Sequence, residues 1–369
     1  MFRLNRLVFY LWSWLICLPL ITWGQQSMRR FLIPTVPQQS VSEQKILIDT
    51  GAYHARGKDT LFQILNAKRE PIAYYRKIMR EACFDGQCRP LNLHLYWNIT
   101  GRYLGLELPP GEFLSKTEHE PFTKNEYQQL DGLLTDSLSP LANFNYNDLT
   151  PAVNREKEKL DGVTAPTAQA VLPYVVKGAV YTTYVLWQLV YGDTQQEVRR
   201  ITKEVLTPSL ALEILESPDL SDRFWMLNNM DSLKNLTPSL GQKLLNMVTD
   251  TNYSLGERAL YAIPVHSLSS DTLQLKLLNR FQTVGYSLKL LILEKLFHAP
   301  TLYPQVVTGF AGQLKELNGA PLAAVFRLFT KFRIRDEQTI NKIKALQQSN
   351  NSYVFNLATT YLKQFAPSF

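Results

Sequence analysis

The sequence predicts an α+β domain, a small antiparallel sheet with packed helices, followed by an all-α solenoid of about five helix pairs. Three observations predict this division: a helical period of about 33 residues in the second half, alternating apolar residues in the first half, and a length of 369 residues. A chain of this length can form two domains, each with its own core. We place these domains at 46–192 and 193–369.

The first 24 residues have the pattern of an export signal. Arg3 and Arg6 precede an apolar run over 7–23, and Gly24 offers a small residue for cleavage. This interpretation places the mature protein outside the cytoplasm, in a bacterial periplasm or cell envelope. The alternative is an uncleaved signal anchor, which is the only membrane contact that we expect. We interpret residues 25–45 as a flexible leader.

The charge of the chain argues against a nucleic-acid partner. The formal net charge is +7, and removal of the signal lowers it by two because Arg3 and Arg6 are lost. The remaining charge is spread along the chain without a dense block of Lys and Arg, which nucleic-acid binding favours. An apolar fraction of 45% with 19% charged residues is typical of a folded protein.

Two cysteines remain after the signal, Cys83 and Cys88, and they flank a short polar stretch. The Asp-Gly pair between them favours a turn, and an oxidising compartment favours a disulfide that closes it. Such a small loop would stabilise the fold by roughly 2 kcal/mol on the chain-entropy model. A redox-active pair is the alternative. No histidine or cysteine spacing predicts a metal site.

Several segments of the first half have clear patterns. Pro71 is expected to open a helix over 72–82. Alternating apolar residues predict a β-hairpin from strands at 91–97 and 102–108. Further helices are predicted over 124–135, with Thr123 and Glu126 as a capping box, and over 175–191, closed by Gly192.

One stretch of the first half suggests a cofactor. Asp161-Gly162-Val163-Thr164-Ala165-Pro166-Thr167 resembles the flavin-attachment motif of FMN-binding domains in exported redox proteins. In that family an Asp precedes a Ser/Thr-Gly-Ala-Thr core, and the last Thr carries FMN through a phosphoester bond. The resemblance implies that Asp161 is the acid, Thr164 the Ser/Thr and Thr167 the FMN acceptor. Ala165 and Pro166 stand where the family has Gly and Ala.

The surroundings of this stretch fit two interpretations. Gly162 allows close backbone approach, and a helix start at Thr167 favours a phosphate. Tyr184 and Trp187 lie on an aromatic stripe of the helix over 175–191, where the rings are expected to face the flavin. On the other interpretation Thr164 or Thr167 only caps a helix, and the stripe is ordinary core. FMN binding is therefore one hypothesis and a plain capping turn is the other.

The second half contains two interleaved sets of helix starts. Two helices per period are typical of an α-solenoid, similar to HEAT-like repeats, in which each unit buries its apolar face by stacking on the next. The first set lies near Thr207, Thr237, Ser270, Tyr303 and Asp336, and the second near Asp219, Tyr253, Tyr286, Ala320 and Ser352.

These features predict an exported protein that binds an envelope protein through its helical repeats. No Gly-x-Ser-x-Gly, phosphate-loop or dinucleotide-binding pattern is present, and we expect no independent catalytic activity. The alternative is a flavin-dependent electron carrier with FMN at Thr167.

Overall fold

A computed structural model describes residues 29–32, 42–50, 57–83, 88–149, 169–233 and 235–365. The chain divides into two compact units, Met1–Gln196 and Glu197–Phe369. We call them the sheet unit and the helical unit. The export signal predicted at 1–24 lies outside the described residues.

The sheet unit contains a six-stranded antiparallel sheet. Five consecutive strands, β2 to β6, form a meander, and β1 joins the far edge by pairing with β6, which gives the order β1-β6-β5-β4-β3-β2. The strands are β1 (Arg29–Leu32), β2 (Ser42–Thr50), β3 (Gly57–Leu65), β4 (Pro71–Arg80), β5 (Leu91–Asn98) and β6 (Tyr103–Leu108).

Two helices of the sheet unit are α1 (Lys124–Thr135) and α2 (Val180–Tyr191), and both contact one face of the sheet. Strand β5 directs every second side chain to this face, and Trp97 at its end is fully buried. The Trp97 Nε1–H donates to the carbonyl of Val190 in α2, at 2.8 Å. On β6, the Tyr103 hydroxyl donates to Asp131 Oδ1 of α1, at 3.0 Å. These contacts fix both helices on the sheet.

The predicted hairpin and the predicted helix over 124–135 are confirmed. Strands β5 and β6 form the hairpin, and Asn98 caps its turn by accepting from the Thr100 and Arg102 N–H groups. Helix α1 has the expected capping box, in which Thr123 and Glu126 bond reciprocally.

The helix expected over 72–82 is wrong, because this segment is β4, which pairs with β3 and β5 along its length. Its Tyr74, Tyr75 and Ile78 suit a pleated sheet, and pairing on both sides outweighed the proline as a helix-start signal. Helix α2 begins at Val180 rather than Val175, because Gly178 adopts a positive φ of 76° just before it. The leader expected at 25–45 contributes β1 and the first residues of β2 to the sheet.

The remaining helices form two layers. After α3 (Asp193–Glu204), helices alternate between a first layer and a second layer, and each helix packs against the next helix of its own layer. The first layer contains α4 (Pro208–Leu215), α6 (Pro238–Met247), α8 (Asp271–Thr283), α10 (Pro304–Gln313) and α12 (Glu337–Leu346). The second contains α5 (Leu220–Asn228), α7 (Tyr253–Ala262), α9 (Tyr286–Phe297), α11 (Gly319–Lys331) and α13 (Ser352–Phe365).

The predicted solenoid of five helix pairs is therefore confirmed, and its starts fall where the sequence places them. The first-layer N-caps are the five predicted residues, and four of them accept a backbone N–H with their own side chains. One buried column in the first layer recurs at seven residues past each cap: Ile214, Leu244, Leu277, Phe310 and Ile343.

Contacts between successive pairs repeat at the same period. The Phe281 and Phe310 rings of α8 and α10 meet edge to face, with centroids 5.1 Å apart. In the second layer, Lys295 of α9 donates to the carbonyls of Tyr261 and Ile263 at the end of α7, at 3.3 and 2.7 Å. Carbonyls at a helix end lack partners within their own helix, so Lys295 completes the hydrogen bonding at the end of α7.

Candidate functional site

The flavin-attachment stretch lies outside the described residues. Asp161, Gly162, Thr164 and Thr167 all belong to the segment 150–168, so FMN binding at Thr167 stays a prediction.

The two aromatic residues predicted to face the flavin are buried between α2 and the loop after α1. Tyr184 is 1% exposed, and its hydroxyl donates to the carbonyl of Phe144 at 2.8 Å. Trp187 is 5% exposed, and its Nε1–H donates to the carbonyl of Asp136 at 3.0 Å. Both rings therefore anchor this loop to α2 as part of the core.

The predicted disulfide between Cys83 and Cys88 is present. The Cα atoms are 5.6 Å apart and both residues are buried, between the end of β4 and the start of β5. The bond closes the connection between two paired strands, which is the structural role that the sequence suggested.

The sheet face opposite α1 and α2 carries an aromatic stack that sequence analysis missed. Phe62, Tyr75 and Tyr96 occupy facing positions on β3, β4 and β5, and their ring centroids are 4.6 and 5.2 Å apart. Lys77 places its Nζ 5.0 Å from the Phe62 ring centre. The rings are only 6–9% exposed, so the stack lies inside the protein.

An acidic group adjoins this stack. Glu107 on β6 is 3% exposed and accepts a hydrogen bond of 2.7 Å from the Tyr96 hydroxyl. His94 Nδ1 lies 3.4 Å from Glu107 Oε2, within ion-pair distance but outside hydrogen-bond geometry. The Tyr75 hydroxyl donates to Glu43 on β2, and burial raises the pKa of Tyr75 well above its ordinary value. These polar contacts join β5 to β6 and β4 to β2.

A row of large apolar side chains, two of them tyrosines, is exposed on the helical unit. The first residues of α5, α7 and α9 are Leu220, Tyr253 and Tyr286, which are 40%, 45% and 55% exposed. We call these three residues the tyrosine row. At the equivalent start of α11, Gly319 has a positive φ of 53°, and a Cβ atom added to it would lie 3.8 Å from the Tyr286 hydroxyl. That distance is an ordinary van der Waals contact, so the positive φ, which favours glycine, is the constraint at this position.

The tyrosine row follows from the repeat itself. The N-caps Asp219, Asn252 and Gly285 are spaced by 33 residues, so residues one position later occupy the same face of successive parallel helices. Neighbouring packed helices lie about 8–10 Å apart, which brings the row onto one surface. Sequence analysis identified Tyr253 and Tyr286 as helix starts and did not recognise that they are exposed.

The exposed fractions of the side chains show whether the aromatic stack or the tyrosine row can contact a partner. The stack on the sheet is closed to a partner, whereas about half of each tyrosine in the row is accessible. Tyr is enriched at protein interfaces, because its ring contributes apolar contact area and its hydroxyl contributes a hydrogen bond. The tyrosine row is therefore the candidate functional surface.

The described residues support neither a metal centre nor a membrane-spanning helix. Within the described ranges, no three His, Cys, Asp or Glu side chains are grouped so that they could hold a metal ion. None of the described helices combines the length and apolar composition that crossing a membrane requires.

Comparison with known protein families finds no family model that matches the chain. Comparison with curated proteins finds no similar sequence. We therefore infer the function from the surfaces described above.

Proposed function

We propose that this protein is an exported interaction protein whose helical unit docks a protein partner of the cell envelope. The tyrosine row is the observation that carries the proposal, because it repeats an exposed aromatic or apolar residue on successive helices of one layer. A rigid stack that presents such residues at regular intervals is suited to a macromolecular surface. The proposal assigns the protein no catalytic step.

Two features support the location. Arg3 and Arg6 before an apolar run are typical of an export signal, and the Cys83–Cys88 disulfide is typical of an oxidising compartment. Both features fit a periplasm or cell envelope.

The docking proposal is tested with the double variant Tyr253→Ser and Tyr286→Ser. The tagged full chain is cross-linked in its native host, and the captured proteins are quantified by mass spectrometry. A tyrosine at an interface commonly contributes more than about 1.4 kcal/mol, so the double variant should lower the yield of the partner at least tenfold.

The matched control is Leu138→Ser, which removes an apolar side chain that is 90% exposed in the sheet unit. This control should capture the partner at the yield of the unchanged chain. Equal yields of every captured protein from the double variant and from the control would refute docking through the tyrosine row.

A flavin-dependent electron carrier is the second candidate function, and the stretch Asp161–Thr167 is the observation that favours it. The chain would be exported in a host that supplies a flavin transferase, and its intact mass and visible spectrum would be measured. A gain of one FMN that Thr167→Ala removes would establish covalent flavin at Thr167, which this function requires. A colourless protein at its plain processed mass would exclude covalent flavin at Thr167.

A further inference from the structure

A groove lies between α5 and α7 and the loops that follow these helices. Its volume is about 760 Å³, within the range of roughly 300–1,000 Å³ that binding pockets occupy. Leu227 and Met230 line it and are 5% exposed each, and Leu233 adds a third apolar side chain. The groove also contains two carboxylates, from the exposed Asp231 and from Glu257, together with the exposed side chains of Arg258 and His266. It is therefore an apolar groove in which carboxylates outnumber the one guanidinium.

Charge is distributed unevenly along the helical unit. Residues 207–270, which cover the first two helix pairs and include the groove, contain seven acidic and four basic residues. Residues 271–365, which cover the last three pairs, contain five acidic and twelve basic residues. The first two helix pairs are thus negative and the last three are positive, so the two parts of one unit are complementary in charge.

The last helix pair exposes two aromatic residues on the first turn of α13. Tyr353 is 46% exposed and Phe355 is 41% exposed. One repeat earlier, the position of Phe355 is taken by Leu322 of α11, which is fully buried. Stacking within the solenoid therefore buries this position, whereas in α13 it carries an exposed ring.

The helices around these two rings are basic. Helices α12 and α13 contain Lys342, Lys344 and Lys363 and a single acidic residue, Glu337. Both Lys344 and Lys363 are exposed. The end of the helical unit therefore combines exposed aromatic rings with positive charge.

The groove and the α13 rings of one molecule cannot meet each other. Three helix-to-helix steps of the second layer separate α7 from α13, which is about 25–30 Å at roughly 8–10 Å a step. A second copy brings them together without any change of fold.

We propose that the groove between α5 and α7 binds the Tyr353 and Phe355 turn of a second copy of this chain. The rings enter the apolar part of the groove, and the lysines of α12 and α13 face Asp231 and Glu257. This contact is head-to-tail, so each bound copy leaves one groove and one α13 turn free for the next. The proposal is independent of partner docking at the tyrosine row.

Sedimentation velocity of the full mature chain tests the proposal over a range of protein and salt concentrations. We expect the average mass to rise with protein concentration in low salt and to fall as salt screens the charges. Phe355→Asp and the double variant Asp231→Lys, Glu257→Lys should each remain monomeric. Gln282→Asp, an exposed change on α8 outside both surfaces, should associate as the unchanged chain does.

A mixture of the two monomeric variants distinguishes this arrangement from others. Phe355→Asp keeps an intact groove, and the double variant keeps an intact α13 turn, so together they should form a dimer and no larger species. A monomeric unchanged chain at every concentration, association that survives both variants, or a mixture that stays monomeric would each overturn the proposal. A monomeric chain whose groove binds a basic aromatic peptide would instead assign the groove to a different partner. Thermal unfolding of every variant confirms that it is folded.

Discussion

The sheet unit and the helical unit are stabilised over different distances along the chain. In the helical unit, each helix packs mainly against helices within about one or two repeats, and the same cap and core positions recur. In the sheet unit, β1 pairs with β6 more than seventy residues later, and Trp97 bonds to Val190. The helical unit is a sum of neighbouring contacts, whereas the sheet unit depends on contacts between distant segments.

This difference predicts how far the loss of stability extends from a substituted residue. The largest loss is expected when a buried aromatic ring is removed. Phe310→Ala removes a fully buried side chain that meets Phe281, which should lower stability by about 3–5 kcal/mol. Hydrogen exchange should rise most in α8 and α10 and less towards α4, because the repeats are coupled through their neighbours.

Trp97→Ala is the matched change in the sheet unit, where it also removes a fully buried ring. Here exchange should rise across the strands together, because the sheet forms as one cooperative unit. The two variants could instead lose exchange protection in the same way, either graded in both units or uniform in both units. That result would contradict the difference between nearest-neighbour and long-range stabilisation.

The same difference decides what the sequence could predict. Caps such as Thr123, Thr237 and Asp336 depend on a side chain three residues from its backbone partner, so their positions are readable from a short window. The hairpin of β5 and β6 is equally local. By contrast, Pro71 as a helix-start signal led to the wrong prediction for β4, because the two neighbouring strands that decide its conformation are not visible within that segment.

The candidate sites also differ in whether a short stretch of sequence is enough to predict them. The aromatic stack of Phe62, Tyr75 and Tyr96 requires the register of three strands, which no pattern within one strand reveals. The tyrosine row follows from the period of 33 residues, and it could have been found by aligning the repeats and asking which aromatic column lies outside the core. The groove depends on loops after α5 and α7 and has no such repeating pattern.

The second prediction concerns the covalent link in the sheet unit. Cys83→Ser opens the loop between β4 and β5 and should lower the stability of the sheet unit by about 2 kcal/mol. Denaturant unfolding with and without a reductant measures this effect. The unchanged chain should lose the same stability when reduced, and the variant should be insensitive to the reductant. A reductant-sensitive variant would contradict the assignment of the effect to this disulfide.

The third prediction concerns the contact that joins two repeats of the second layer. Lys295→Met keeps the length of the side chain and removes both hydrogen bonds to the end of α7, at a cost of about 1–2 kcal/mol. Exchange of the last turn of α7 should rise, because the Lys295 ammonium no longer holds its carbonyls. Lys315→Met, an exposed change after α10, serves as the control and should leave α7 unchanged. An equal effect of both variants would mean that the contact does not couple the repeats.

The smallest effect is a pH dependence that belongs to the sheet unit alone. Burial raises the pKa of Asp131 in α1, and the hydrogen bond from Tyr103 opposes this rise without cancelling it. Because the folded-state pKa is above the unfolded-state value, this group stabilises the fold fully below about pH 4, and the contribution is lost as the pH rises through the folded-state pKa. Asp131→Asn keeps the acceptor for Tyr103 and removes the titration. The Tm of the variant minus the Tm of the unchanged chain should therefore increase as the pH rises from about 4 towards neutral. This increase should appear in the unfolding of the sheet unit. Two Tm profiles that ran parallel over this range would show that Asp131 titrates alike in both states, and the long-range contact between β6 and α1 would then carry no pH dependence.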